Sequence, residues 1–296
     1  MNSTITIDGR EYDVEIRRRV AMPPEAPRLV VVSNLRNASA VSLLDACLDS
    51  IGRFTPEPHE VWVIDNNSPE ANLGRLTERP GINVAFNRTE PLPPEARAQD
   101  ASFNYDQLNW GSYANAIGLE LAARLMDPQT RFFMSMHMDT LLCRSGWLAF
   151  LNGKLVNGIA AAGVRMDRTR TPEGVLHVLG YMVDFNVFRN LNLNFFPQLP
   201  EYDVGDLVTV RLRGSGYDVF ACPNTVWEPD LMQGIPDSSP LKTLHVDRAF
   251  DDDGNVIFLH LGRGIRRSTG EHRKGTSVEE WLMVAHKLIS AADCRK

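Results

Sequence analysis

Arg28-Leu-Val-Val-Val-Ser-Asn-Leu-Arg-Asn37 decides how the rest of this chain is read. Its first six residues form a short unbroken apolar run, the pattern of a β-strand covered on both faces. Asn34 to Asn37 then supply a turn. The segment 39–52 places Val41, Leu44, Leu48 and Ile51 on one helical face and meets a stop signal at Gly52. Glu60-Val-Trp-Val-Ile64 is a second buried strand, running out at Asp65-Asn-Asn-Ser68. Strand, turn, helix and strand in this order predict two parallel strands joined by a right-handed crossover. Open sheets of that kind bind ligands outside the carboxyl ends of their strands, where Ser33, Asn34, Asp65 and Asn67 fall. Asn, Asp and Ser also favour turns, so plain turn chemistry is the competing explanation at these positions.

Upstream, residues 4–16 alternate apolar and polar around Asp8-Gly9, a hairpin signal, and a proline-bearing connector covers 22–27. Downstream, 81–86 reads as a strand and 90–100 as a loop. A helix follows Asn109-Trp-Gly-Ser-Tyr-Ala-Asn115, with Ile117, Leu121 and Leu125 inward and Asp127-Pro128 closing it. Arg131-Phe-Phe-Met-Ser-Met-His-Met-Asp139 is a buried strand that ends on an imidazole and a carboxylate. Strands are expected at 158–164, 176–186, 217–221 and 256–260, the last ending on His260. A short helix starts near Asp203-Val-Gly-Asp206 and stops at Gly214-Ser-Gly216. The loop 262–270 is basic, with Arg263, Arg266 and Arg267. A terminal helix begins at Ser277, with Glu280 completing a capping box and Trp281, Val284, Ala285 and Leu288 on its inner face.

No repeat or low-complexity tract interrupts the 296 residues, and one α/β body is the economical organisation. Residues 1–27 form a hairpin and linker. Residues 28–296 form the body, with a nucleotide-binding half over 28–142, an acceptor half over 143–276 and a terminal helix over 277–294. A net charge of -6 argues against wrapping nucleic acid. Cys47, Cys143, Cys222 and Cys294 are scattered without zinc spacing, so reduced core thiols of a cytoplasmic protein are expected. Nowhere do about 18 apolar residues run uncharged, so no transmembrane segment is expected.

Taken together, Val30-Val-Val-Ser-Asn34, Val61-Trp-Val-Ile-Asp-Asn-Asn-Ser68, Asn109-x-Gly111-x-x-x-Asn115, His137-Met-Asp139 and the 203–217 segment resemble a family 2 type glycosyltransferase. The resemblance covers residues 28–260. It implies a GT-A fold: a Rossmann-like, mostly parallel central sheet flanked by helices, here with the N-terminal β-hairpin extension. It also implies transfer of a sugar from a nucleotide-sugar donor, a UDP-sugar by preference, to a glycan or small hydroxyl acceptor with inversion. The family's common setting is polysaccharide or surface glycan synthesis.

In that resemblance Asp65 contacts the base of the donor, with Ser33, Asn34, Asn67, Asn109 and Asn115 around the nucleotide. The family's DxD motif falls on His137-Met-Asp139, and its first position is here a histidine. Asp139 would hold Mn²⁺ or Mg²⁺ together with His260, while His137 touches ribose, phosphate or metal. Imidazole suits Mn²⁺ better than Mg²⁺. Arg263 would bind phosphate, since guanidinium groups grip phosphates bidentately. The general base falls on Asp203 or Asp206; position in the motif slightly favours Asp203, while Asp206 reads equally as a first-turn acid stabilised by the helix dipole. A nucleotidyltransferase and a non-catalytic nucleotide- or sugar-binding module are the alternatives, and homo-oligomer formation stays open.

Overall fold

The computed structural model describes residues 1–98, 110–165 and 174–291. It opens with the hairpin β1 (Asn2–Ile7) and β2 (Arg10–Arg17). The turn residues Asp8 and Gly9 take φ of 48° and 70°, as a tight hairpin requires. β3 (Arg28–Ser33), α1 (Ala38–Phe54) and β4 (Glu60–Asn66) form the expected crossover unit, with β3 and β4 parallel. α2 (Gly74–Glu78) leads to β5 (Asn83–Asn87), parallel to β4. After α3 (Pro94–Ala98) and α4 (Trp110–Leu125), β6 (Phe132–His137) runs parallel to β3 on its other side. β7 (Thr140–Leu142), α5 (Trp147–Lys154), β8 (Ile159–Arg165), β9 (Leu176–Asp184), α6 (Phe185–Asn190), α7 (Asp206–Gly214) and β10 (Asp218–Cys222) follow. α8 (Pro240–Thr243), β11 (Asp247–Phe250), β12 (Val256–His260), α9 (Gly264–Ser268) and α10 (Val278–Ala291) end the described chain.

Nine strands make one sheet in the order β1-β2-β5-β4-β3-β6-β9-β8-β10. Its centre, β5-β4-β3-β6, is parallel, and β2 and β9 flank that centre antiparallel. The hairpin is therefore an edge of the main sheet. Buried residues alternate between its faces, as the strand period dictates. Leu29, Val31, Val61 and Val63 pack with α1 and α10, whereas Val30, Trp62 and Ile64 pack with α4. Trp281 of α10 is fully buried and Leu288 packs beside it, and the capping box forms: the Glu280 N–H donates to Ser277 Oγ at 3.1 Å and the Ser277 N–H to Glu280 Oε2 at 2.8 Å. A second, antiparallel sheet, β11-β12-β7, lies on the α1 side. Cys47, Cys143 and Cys222 are free thiols. Among the described residues no helix is long and apolar enough to cross a membrane.

Several boundaries differ from expectation for local reasons. Gly52 does not stop α1, because Ile51 and Phe54 are both core residues and the Thr55 N–H still reaches Ile51 O at 3.0 Å. The strand from Leu176 ends at Asp184, not Asn186, because the Asp184 carboxylate accepts from the Asn186 and Val187 N–H groups and caps α6. The apolar strand from Phe132 ends at His137, and Met138-Asp139 turn the chain into β7. The loops at 90–100 and 262–270 contain α3 and α9.

Candidate active site

β3 and β6 are neighbours, so Val32 pairs with His137 at their carboxyl ends and Ser33 pairs with Asp65 on the other side. These ends open into a cavity of about 390 Å³ whose lining includes Ser33, Asn34, Asn115, His137, Asp139, His177, Asp203, Arg263 and Arg266. Most of the expected site residues therefore meet in one place.

Asp139 is the fixed point. The chain after β12 folds over it: the Leu261 N–H donates to Asp139 O at 3.0 Å and the Gly264 N–H to Asp139 Oδ2 at 2.9 Å. A Cβ on Gly264 would sit 2.8 Å from that Oδ2, so only glycine allows the approach. Oδ1 faces His260 Nε2 at 3.5 Å and His137 Nδ1 at 3.9 Å. His260 arrives on the second sheet, in register with Thr140 of β7 and Asp247 of β11. Its Nδ1 lies 3.6 Å from Asp247 Oδ2.

The charges follow from this packing. Burial works to raise the Asp139 pKa, yet His260, His137 and the Gly264 amide together hold the carboxylate well below the usual range. Burial works to lower His260, but Asp139 and Asp247 push it up to about 9. His137 goes the other way, down to about 4, through burial first and the neighbouring His260 charge second.

The ligand atoms of His137, Asp139 and His260 all lie within 4.8 Å of one another. Both ring nitrogens of His260 are buried with no formed hydrogen bond. Two imidazoles and one carboxylate, converging with unsatisfied nitrogens, fit a divalent transition ion. The nitrogen-rich set departs from the all-oxygen surroundings that Mg²⁺ prefers. Asn115 of α4 lies 3.2 Å from His137 Nε2, holding the imidazole from its far side.

The remaining expected residues divide. Ser33 Oγ is buried without a hydrogen-bond partner and lines the cavity. Asn34 lines it too, but its amide donates to Asn66 O at 2.8 Å and accepts from Arg36 at 3.1 Å, which ties the strand ends together. Asp65 is not on the cavity: it is fully buried and both its oxygens accept from Ser68, from the hydroxyl and from the N–H. Burial pushes its pKa up to about 6 against those two bonds. Asn67, at φ 61°, donates its N–H to Asn87 O at 3.1 Å and also stays off the cavity. At these two positions turn chemistry is what the geometry displays. Asn109 lies outside the described residues.

Asp203 lines the cavity, with Oδ1 accepting the Val204 N–H at 2.8 Å. Asp206 is 1% exposed and lies behind it, accepting the Asp203 N–H at 2.7 Å. It props the turn that presents Asp203. Arg263 and Arg266 stand exposed at the mouth. Arg267 turns away, donating to Gly262 O, Lys274 O and Thr276 O and holding the loop shut on itself.

His177 was not anticipated. It comes from β9, its Nδ1 accepts the Leu179 N–H at 3.0 Å, and its ring centroid is 5.4 Å from that of His137. The signal was available: like His137 and His260, it is an imidazole embedded in an apolar strand.

No protein-family model and no curated protein matches the sequence. Among solved structures, an active-site mutant of LgtC superposes with a TM-score of 0.54 at 14% identity, over 88% of this chain and 95% of that one. The galactosyltransferase LgtC in complex with donor and acceptor sugar analogues gives 0.51 at 12% identity, over the same shares. The mannosyltransferase PcManGT from Pyrobaculum calidifontis, in complex with GDP-Man and Mn²⁺, covers 91% of this chain and 75% of its own at 12% identity, with a TM-score of 0.45 that is too low to bear on the fold. At these identities the likeness to LgtC is one of architecture: this chain has the GT-A fold.

Proposed function

We propose that the protein is a metal-dependent glycosyltransferase that moves a sugar from a nucleotide-sugar, a UDP-sugar by preference, to a hydroxyl acceptor with inversion. The observation that carries this reading is the convergence of His137, Asp139 and His260, the first two of which line a cavity at the strand ends while His260 stands behind Asp139. The same architecture in LgtC receives donor and acceptor sugar analogues.

In this reading Asp139, His260 and His137 hold Mn²⁺, whose charge would offset that developing on the leaving diphosphate. Arg263 and Arg266, at the mouth, grip the diphosphate from the solvent side. Ser33 and Asn115 border the nucleotide. Asp203 takes the proton from the acceptor hydroxyl as that oxygen attacks the anomeric carbon. Its place on the cavity wall supports this role, and the burial of Asp206 speaks against the alternative base.

Two measurements test the reading. UDP, GDP and CMP are screened by thermal shift with and without Mn²⁺: we expect UDP with Mn²⁺ to raise Tm, and Asp139→Ala to abolish the metal-dependent part. Absence of stabilisation by every nucleotide would overturn the reading. For the base, Asp203→Asn is expected to lower turnover by about 10²- to 10⁴-fold while donor binding persists. Asp206→Asn is expected to lower Tm more than turnover. The reverse pattern would move the base to Asp206.

A further inference from the structure

We infer that Asp247 is a positioning residue for the metal, acting through His260. The inference rests on the metal reading of His137, Asp139 and His260. On β12 the imidazole of His260 stands between two carboxylates. Nε2 faces Asp139 Oδ1 at 3.5 Å, and Nδ1 faces Asp247 Oδ2 at 3.6 Å. The second contact is an electrostatic one rather than a formed hydrogen bond, made to a buried nitrogen that forms no hydrogen bond among the described residues.

The alignment is built into the backbone. Asp247 and His260 are directly paired across the antiparallel strands β11 and β12, and His260 is paired on its other side with Thr140, the residue after Asp139. A single row of the small sheet thus sets the imidazole between the two acids. Register of this kind is hard to slip, because a shift of one residue would send His260 to the opposite face.

The chemical reason for such a residue lies in the donor set. Among the described residues the converging set holds one carboxylate, Asp139, because a histidine stands at 137. A metal-bound imidazole gains basicity when its second nitrogen is directed at a carboxylate, and the partner also fixes which nitrogen is presented. Asp247 supplies both effects from outside the cavity. It is half exposed and is not among the cavity's lining residues.

The test is Mn²⁺ affinity of the full chain, measured by electron paramagnetic resonance of the free ion at one fixed pH, beside the Tm of the metal-free protein. Asp247→Ala is expected to weaken Mn²⁺ binding by about 10-fold or more. Asp247→Asn, which keeps an acceptor oxygen but loses the charge, is expected to fall between alanine and wild type. Asp247→Glu is expected to restore most of the affinity. All three should keep the metal-free Tm close to that of wild type. Wild-type affinity in Asp247→Ala overturns the inference, as does equal loss in Asp247→Ala and Asp247→Glu, which would mark a fold defect. His260→Ala separates the two levels of argument. If it binds Mn²⁺ as tightly as wild type, the metal reading itself falls; if it loses the ion while Asp247→Ala does not, only the role of Asp247 falls.

Discussion

Asp139 is engaged at three oxygens, and each engagement has a different purpose. Its backbone oxygen and Oδ2 are taken by the Leu261 and Gly264 amides, which leaves Oδ1 directed at the two histidines. Without metal, the charge it faces is a proton. His260, at about 9 against an ordinary 6.5, carries that proton at neutral pH as the counter-ion of Asp139. The folded state therefore binds a proton between 6.5 and about 9 that the unfolded chain has released. The contact stabilises the metal-free fold fully below 6.5, and the contribution is lost as pH rises through about 9. A metal ion must displace the same proton. Mn²⁺ binding is accordingly expected to release close to one proton near neutral pH and to tighten as pH rises towards 9. Calorimetry in buffers of different ionisation enthalpy would measure this, and a binding enthalpy indifferent to the buffer would contradict it. At this scale the sequence exposed the residue types well. It did not show that the Asp65 carboxylate accepts from Ser68 of its own turn, because whether a carboxylate faces the cavity or its neighbour's hydroxyl depends on a side-chain direction that spacing does not encode.

At the scale of elements, legibility followed length. β3, β4 and β12 were readable as continuous apolar runs, and α10 from its Ser277–Glu280 box. β7 and β11, three and four residues long, were not. Strands that short carry too little alternation to be distinguished from loop, and their existence depends on β12 arriving between them. α4 shows how one close approach positions a whole element. A Cβ on Gly118 would meet Val32 Cγ1 at 2.5 Å, so the helix lies directly on β3 there. Gly111, Ser112 and Asn115, on the preceding turns, line the cavity. Gly118→Ala raises intrinsic helix propensity by about 1 kcal/mol, yet we expect it to destabilise the protein by about 1–3 kcal/mol through overpacking and to weaken nucleotide binding. Urea denaturation and the thermal-shift assay would measure the two effects. A stabilised variant would show that the helix can move aside without cost.

At the scale of the molecule, the described residues form two sheets that meet at one turn. The large sheet delivers His137, the small one delivers His260, and Asp139 occupies the corner between β6 and β7. The hairpin β1–β2 lies at the far edge of the large sheet, but its turn is still connected to the site's scaffold. Tyr113 Oη donates to Asp8 Oδ2 at 2.6 Å and Arg97 Nη2 donates to the same oxygen at 2.9 Å. Asp8 thus ties the edge of the sheet to the first turn of α4. The parallel centre of the sheet was legible because βαβ units announce themselves in order. The position of the hairpin in the order was not, since an antiparallel strand pairs wherever an edge is open.

The amide of Gly264 reaches back across 125 residues to the side chain of Asp139. During synthesis, then, the carboxylate emerges long before anything that can hold it. A nascent chain that stops short of β12 has His137 and Asp139 at the end of a strand, but lacks His260, the amide clasp and the strand that draws β7 and β11 together. Closing a loop of this size costs little more entropy than closing a shorter one. On the metal reading proposed above, a chain cut before β12 would lack His260 and the Gly264 amide, and with them the complete ligand set.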